Sequence, residues 1–197
     1  MNPRRALCTL VLCLLASGAT AQVTTPHPRL ILDAATLGAL RARAASNTPQ
    51  WRALKAYCDS FIGGTVNYPD HLAYPDPPDI GQGYQGEDYF PALIGEAFCY
   101  QTLRVSDPTT AAKYGAKAVD VLVKMSMPFP GAHGEHPSTD SGFAVRFFGV
   151  GMGIAYDWLY GLLTPEQRKQ VYSTANGWTD YWEGSSGPST CGGLAPA

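Results

Sequence analysis

Positive charge is scarce in this chain: 14 Lys and Arg stand against 16 Asp and Glu in 197 residues. A nucleic-acid binder needs a basic stripe to displace counterions from phosphates, so that class is disfavoured. Long apolar runs are also missing. The run over 6–16 is about half of the roughly 20 residues that span a bilayer, which argues against a membrane anchor. No convincing alternation of β-branched residues occurs, and this leaves little room for a sheet. Cys8 and Cys13 lack the small residues that a lipid-attachment site places before its cysteine, so no lipid anchor is expected.

What is present begins with a secretory pattern. Arg4 and Arg5 precede the apolar run, and Ala19-Thr20-Ala21 is a small-x-small cleavage site. Residues 1–21 therefore read as a signal peptide, and the protein as secreted or periplasmic. Its removal leaves 176 residues carrying 12 basic against 16 acidic side chains, a net charge of −4. That length suffices for one domain with a sizeable core, or for part of a larger one. Of the three cysteines that remain, Cys58 and Cys99 sit on apolar faces of expected helices. They either pair in the oxidising compartment or lie buried as thiols. Cys191 is the odd one, in a Gly/Ser/Pro-rich tail over 184–197.

The periodicity predicts an all-α fold built from hairpins. Asp33 caps a short surface helix with Leu37, Leu40 and Ala44 on one face, and Thr48-Pro49 starts a second that ends at Gly63-Gly64. A Tyr/Pro/Asp/Gly-rich stretch over 65–86 then reads as a long loop of a kind compact domains keep for function. A third helix is expected over 87–103, with Phe90, Leu93, Ile94, Ala97 and Phe98 inside. A fourth, capped by Asp107-Pro108, buries Tyr114, Ala118, Val121, Leu122 and Met125. The short link between these two makes them an antiparallel hairpin.

After an irregular stretch over 127–140, a fifth helix over 141–162 is apolar nearly all round and must be covered on several sides. Its Gly149, Gly151 and Gly153 suggest close backbone approach by a neighbour. Thr164-Pro165-Glu166-Gln167 is a capping box that opens a sixth helix, with Val171, Ala175, Trp178 and Trp182 on one stripe.

Several of these residues resemble a known family. His27-Pro28-Arg29-Leu30, Leu40-Arg41-Ala42-Arg43, the aromatic hairpin over 89–125, and Ala155-Tyr156-Asp157-Trp158-Leu159-Tyr160 followed by Leu163-Thr164-Pro165-Glu166-Gln167-Arg168 look like the N-terminal region of heparinase II/III-like and alginate-lyase-like proteins. The resemblance covers about 27–182. It implies an incomplete (α/α) toroid over 22–183, and a polysaccharide lyase that cleaves a uronate-containing polymer by β-elimination. The family's Asn-His catalytic pair does not occur: Asn47, Asn67 and Asn176 are followed by Thr48, Tyr68 and Gly177. No catalytic residue is carried over, and the chain is expected to be an inactive N-terminal fragment whose uncovered helix faces could self-associate.

A lyase must neutralise a uronate carboxylate while a base removes the neighbouring proton. This chain could add supporting groups for substrate binding. Tyr84 and Tyr89 flank the first loop as a stacking wall for sugars, or as packing. Arg146, the only cation of the fifth helix, either pairs with Asp140 or Asp157 or points into a polar groove. His136 lies on a loop that is either solvated or at the substrate rim. With His133 and Glu135 it lacks the one-face helical geometry of a zinc site, so no metal or other cofactor is expected. Asp157 reads as a buried, hydrogen-bonded structural carboxylate, or in a hydrolase as an acid needing a second carboxylate across the cleft. The partner would be an acidic polysaccharide. The alternatives are a glycoside hydrolase on the same helices and a non-catalytic glycan- or protein-binding domain.

Overall fold

In the computed structural model the described residues are 26–66, 89–126 and 143–180, the side chains of 143–148 and 177–180 excepted. They form six helices and no strand, so the all-α expectation holds for them. The helices are α1 (Ala34–Ala45), α2 (Pro49–Phe61), α3 (Tyr89–Leu103), α4 (Pro108–Met125), α5 (Phe143–Leu159) and α6 (Pro165–Asp180). None of them is long and apolar enough to cross a membrane. The segments over 1–25 and 181–197, which hold the signal and tail readings, lie outside the described residues.

The helix starts follow the local chemistry of the chain. Asp33 accepts from the Thr36 N–H at 2.7 Å, Thr48 from Trp51 at 3.3 Å, and Asp107 from Thr110 at 3.1 Å. Each satisfies one of the orphan donors of a first turn. At α6 the Thr164 hydroxyl accepts from the Gln167 N–H at 3.2 Å, while the Gln167 side chain accepts from the Thr164 N–H at 2.9 Å. That reciprocity completes the capping box.

The middle of the molecule is α3, which packs against α1, α2, α4 and α5. Ten of its fifteen residues are buried, Glu96, Gln101 and Thr102 among them. The sequence led α5 to be expected covered on several sides. In the described part of α5, Met152, Ala155, Trp158 and Leu159 face the core, while Val150 is 56% exposed and Gly149 and Gly153 face outward. The helix also ends at Leu159, three residues early, because Leu162 and Leu163 turn back to the Leu159 carbonyl past Gly161.

Of Gly151 and Gly153, two of the three glycines expected at a close approach, only Gly151 is tight. A Cβ there would stand 2.5 Å from the Phe90 ring, whereas one on Gly153 would meet nothing within 4 Å. The neighbour at Gly151 is thus an α3 side chain and not a helix backbone.

The principal core gathers Leu32, Leu37, Leu93, Val121, Leu122, Met152, Leu159 and Val171 with their neighbours. A smaller cluster of Trp51, Cys58, Cys99, Leu103, Ala111 and Tyr114 joins α2, α3 and α4. Cys58 and Cys99 are disulfide-bonded, which resolves the two sequence alternatives in favour of pairing. The far end of α4 is closed by α6: Gln170 donates to the Val123 carbonyl at 2.8 Å and Thr174 to the Ser126 carbonyl at 2.7 Å. These bonds occupy carbonyls that the end of a helix leaves without intrahelical partners.

Candidate functional site

Two clusters of polar and titratable side chains stand out. The first lies where the segment before α1 crosses the end of α5. Asp157, 3% exposed, accepts from the Arg29 and Leu30 backbone N–H groups at 2.8 and 2.9 Å. His27 Nδ1 donates to its other oxygen at 2.5 Å, and the Arg29 guanidinium lies 3.6 Å away. Trp158 donates from its indole N–H to the Leu30 carbonyl at 2.9 Å. A carboxylate with this many donors is the structural carboxylate that the sequence suggested for Asp157.

Aromatic contacts extend the cluster. The His27 ring stacks on Tyr160 with centroids 4.0 Å apart, and the Arg168 guanidinium lies 4.0 Å from the same ring centroid. Two planar groups cannot share one face at that distance, so they occupy opposite faces of Tyr160. Arg168 is further held by an Nε–H bond to the Tyr160 carbonyl at 3.1 Å. Tyr156 meets Tyr160 edge-on at 5.6 Å. Burial raises the Tyr156 hydroxyl above its ordinary pKa, Tyr160 adds to the rise, and the charges of Arg168 and Arg29 oppose it. Ile31 follows in a tight turn with φ of 67°, its neighbours joined by a Leu32 N–H bond to the Leu30 carbonyl at 2.6 Å. Positive φ is costly for a β-branched residue, and the pinned residues on either side sustain it.

The second cluster is internal. Glu96 is wholly buried, and among the described residues neither carboxyl oxygen has a hydrogen-bond partner. Burial lifts its pKa to about 8, with Lys117 pulling down and Asp59 pushing up. Tyr114 donates to Asp59, which also accepts from Lys55 at 2.8 Å. Burial alone would raise Asp59, but the hydrogen bonds from Lys55 and Tyr114 outweigh it and hold the carboxyl below its usual range. Lys117 donates to the Gly64 carbonyl, and Lys124 to that of Val66 at 3.4 Å. This cluster can store a proton, but a carboxyl with no exposed surface cannot touch a substrate.

Of the residues proposed from sequence for substrate binding, Tyr84 and His136 lie outside the described residues, as does the side chain of Arg146. The loop with His133 and Glu135, and Asp140, lie outside them too. Tyr89 is wholly buried in the principal core. Its ring offers no face to a dissolved sugar, so packing, and not a stacking wall, is its role. The described partners of Asp157 are His27, Arg29 and Leu30. Among the described residues no group of three His, Cys, Asp or Glu side chains could hold a metal ion.

Sequence reasoning missed Glu96, whose helical position showed only that it was one polar residue in an apolar stretch. It also did not bring the segments of His27, Arg29 and Asp157 together. The motifs containing them were visible, but their junction across a separation of 128 residues was not. The geometry defines a helical protein with a polar clasp at one edge of its core. No family model, curated protein or solved structure matches the chain.

Proposed function

We propose that this chain forms helical hairpins of an (α/α) toroid in a secreted polysaccharide lyase acting on an acidic, uronate-containing polymer by β-elimination. One observation carries the reading. Two of the stretches that carry the family resemblance, around His27 and around Asp157, meet in a single hydrogen-bonded clasp. The α3–α4 pair, joined across Arg104 to Asp107, supports the hairpin architecture. The Cys58–Cys99 bond supports passage through an oxidising compartment.

The chemistry asks for a neutralising group on the uronate carboxylate and a base for the adjacent proton. No described residue is assigned either role. The test incubates the protein encoded by the whole gene with alginate or a heparin-like polymer, from which unsaturated, ultraviolet-absorbing ends are expected. Reducing ends without unsaturation sink the lyase reading and would give a glycoside hydrolase on the same helices. Protection of the fold by glycan without any cleavage would give a binding module.

A further inference from the structure

α2 is held to the rest of the fold by few attachments. Two of its thirteen residues, Trp51 and Cys58, are buried, against ten of fifteen in α3. One of those two is half of the disulfide that fixes α2 to α3. Beside that bond the helices are in close contact: a Cβ on Gly95 would stand 3.5 Å from the Tyr57 ring and 3.9 Å from Cys58 Sγ. Two further bonds tie the same end of α2 to α4, from the Tyr114 hydroxyl to Asp59 and from Lys117 to the Gly64 carbonyl just beyond the helix.

These ties close over the turn of α3 that carries Glu96. Glu96 follows Gly95 and stands three residues before Cys99, a spacing that puts two side chains on one side of a helix. It is wholly buried, as are both sulfur-bearing residues. The charges acting on it come from the two helices tied there: Lys117 of α4 favours the carboxylate and Asp59 of α2 opposes it. Asp59 is itself held by Lys55 and Tyr114. Of the other two helices packed on α3, α1 turns Arg41 to the Gln101 carbonyl and α5 turns Asp157 to the clasp. A carboxyl so enclosed stays protonated at neutral pH and takes its charge only when water reaches it.

We propose that α2 is a redox-released flap whose opening is coupled to the ionisation of Glu96. With the bond intact, α2 is pinned through Cys58 to the buried middle of α3 and opens only when that core opens. A dithiol removes the pin. One of its thiolates attacks a sulfur of the pair and expels the other, and its second thiol completes the exchange. The reductant leaves as a cyclic disulfide, and its two electrons and two protons remain on Cys58 and Cys99. Because both sulfurs are buried, the attack waits for a fluctuation that exposes one of them. The reduced form can still close, since the Gly95 carbonyl lies 3.2 Å from Cys58 Sγ and is placed to accept from its thiol. In the open form water reaches Glu96, which ionises and opposes reclosure.

Amide exchange read residue by residue, in the oxidised protein and after reduction with dithiothreitol with oxygen excluded, tests both halves. Reduction should lower the protection factors of α2 while α4 keeps its own. That loss should deepen by up to about tenfold per pH unit from pH 5 to 8, because the open form releases a proton that the closed form keeps. In Glu96→Gln the flap should open on reduction to an extent that does not vary with pH. Tyr114→Phe, which removes the bond to Asp59, should open further than the parent when reduced. Cys58→Ser with Cys99→Ser should match the reduced parent with or without the dithiol, which separates this pair from the other cysteines. If that variant does not fold, the reduced parent carries the comparison. Protection of α2 unchanged by reduction, or lost only together with that of α4, would overturn the flap. A loss independent of pH, or equally pH-dependent in Glu96→Gln, would overturn the coupling.

Discussion

Replacing Glu96 by Gln isolates one charge in the interior. In the unfolded chain this carboxyl ionises near 4.5, and in the fold burial lifts it to about 8. Between those values the native state holds a proton that the unfolded state has released, so stability must fall as pH rises. The loss accrues at about 1.4 kcal/mol per pH unit, reaches about 3 kcal/mol at pH 7, and levels off near 5 kcal/mol above pH 8. Domains of this size are stable by about 5–15 kcal/mol, so the effect is a large fraction of the whole.

Glutamine keeps the size and loses the titration. Urea unfolding at a series of pH values should show the parent weakening between pH 5 and 8 while Glu96→Gln stays comparatively level. The carboxylates held low, Asp33, Asp59, Asp107 and Glu166, act in the opposite sense and at lower pH. They stabilise the fold above their ordinary pKa and lose that effect as pH falls, and they cancel in the difference between parent and variant. A difference that stays constant from pH 5 to 8 would refute the reasoning, because it would mean that the carboxyl is solvated or paired in the native protein.

Three further outcomes follow from the same structure. Cys58→Ser with Cys99→Ser should cost about 4 kcal/mol by the loop-closure relation for a separation of 41 residues, read as a drop in the urea midpoint. No change would mean that the unfolded chain is already restrained. Asp157→Ala should cost about 2–4 kcal/mol, discounted because His27 and Arg29 reach solvent, and should expose the segment before α1 to protease and amide exchange. If the Arg29 and Leu30 amides stay protected, Asp157 is not what holds them. Ile31→Gly should stabilise by about 1 kcal/mol, since the side chain is 67% exposed and its φ of 67° suits glycine. A lower melting temperature would show that the isoleucine packs in solution.

Much of the local structure was legible because it depends on neighbours within four residues. Asp33, Thr48, Asp107 and Thr164 announce helix starts through bonds to their own first turns, and all four are found capping. The α3–α4 hairpin follows from a short link between two apolar-faced helices. The ranking of burial was not legible. A periodic pattern tells which face of a helix is apolar, but not how many other helices surround it. For that reason α5 was expected to be covered on several sides, while nothing marked α3, with its Glu96 and Gln101, as the helix that packs against four others among the described residues.

The same division runs through the site. Local sequence determined that the described part of this protein is helical and where its four capped helices begin. Tertiary structure alone decided that Cys58 bonds Cys99, that Tyr89 is hidden, and that His27 and Arg29 meet Asp157. Caps and turns are set by contacts between near neighbours, whereas a clasp between residues 27 and 157 exists only once the core has folded between them.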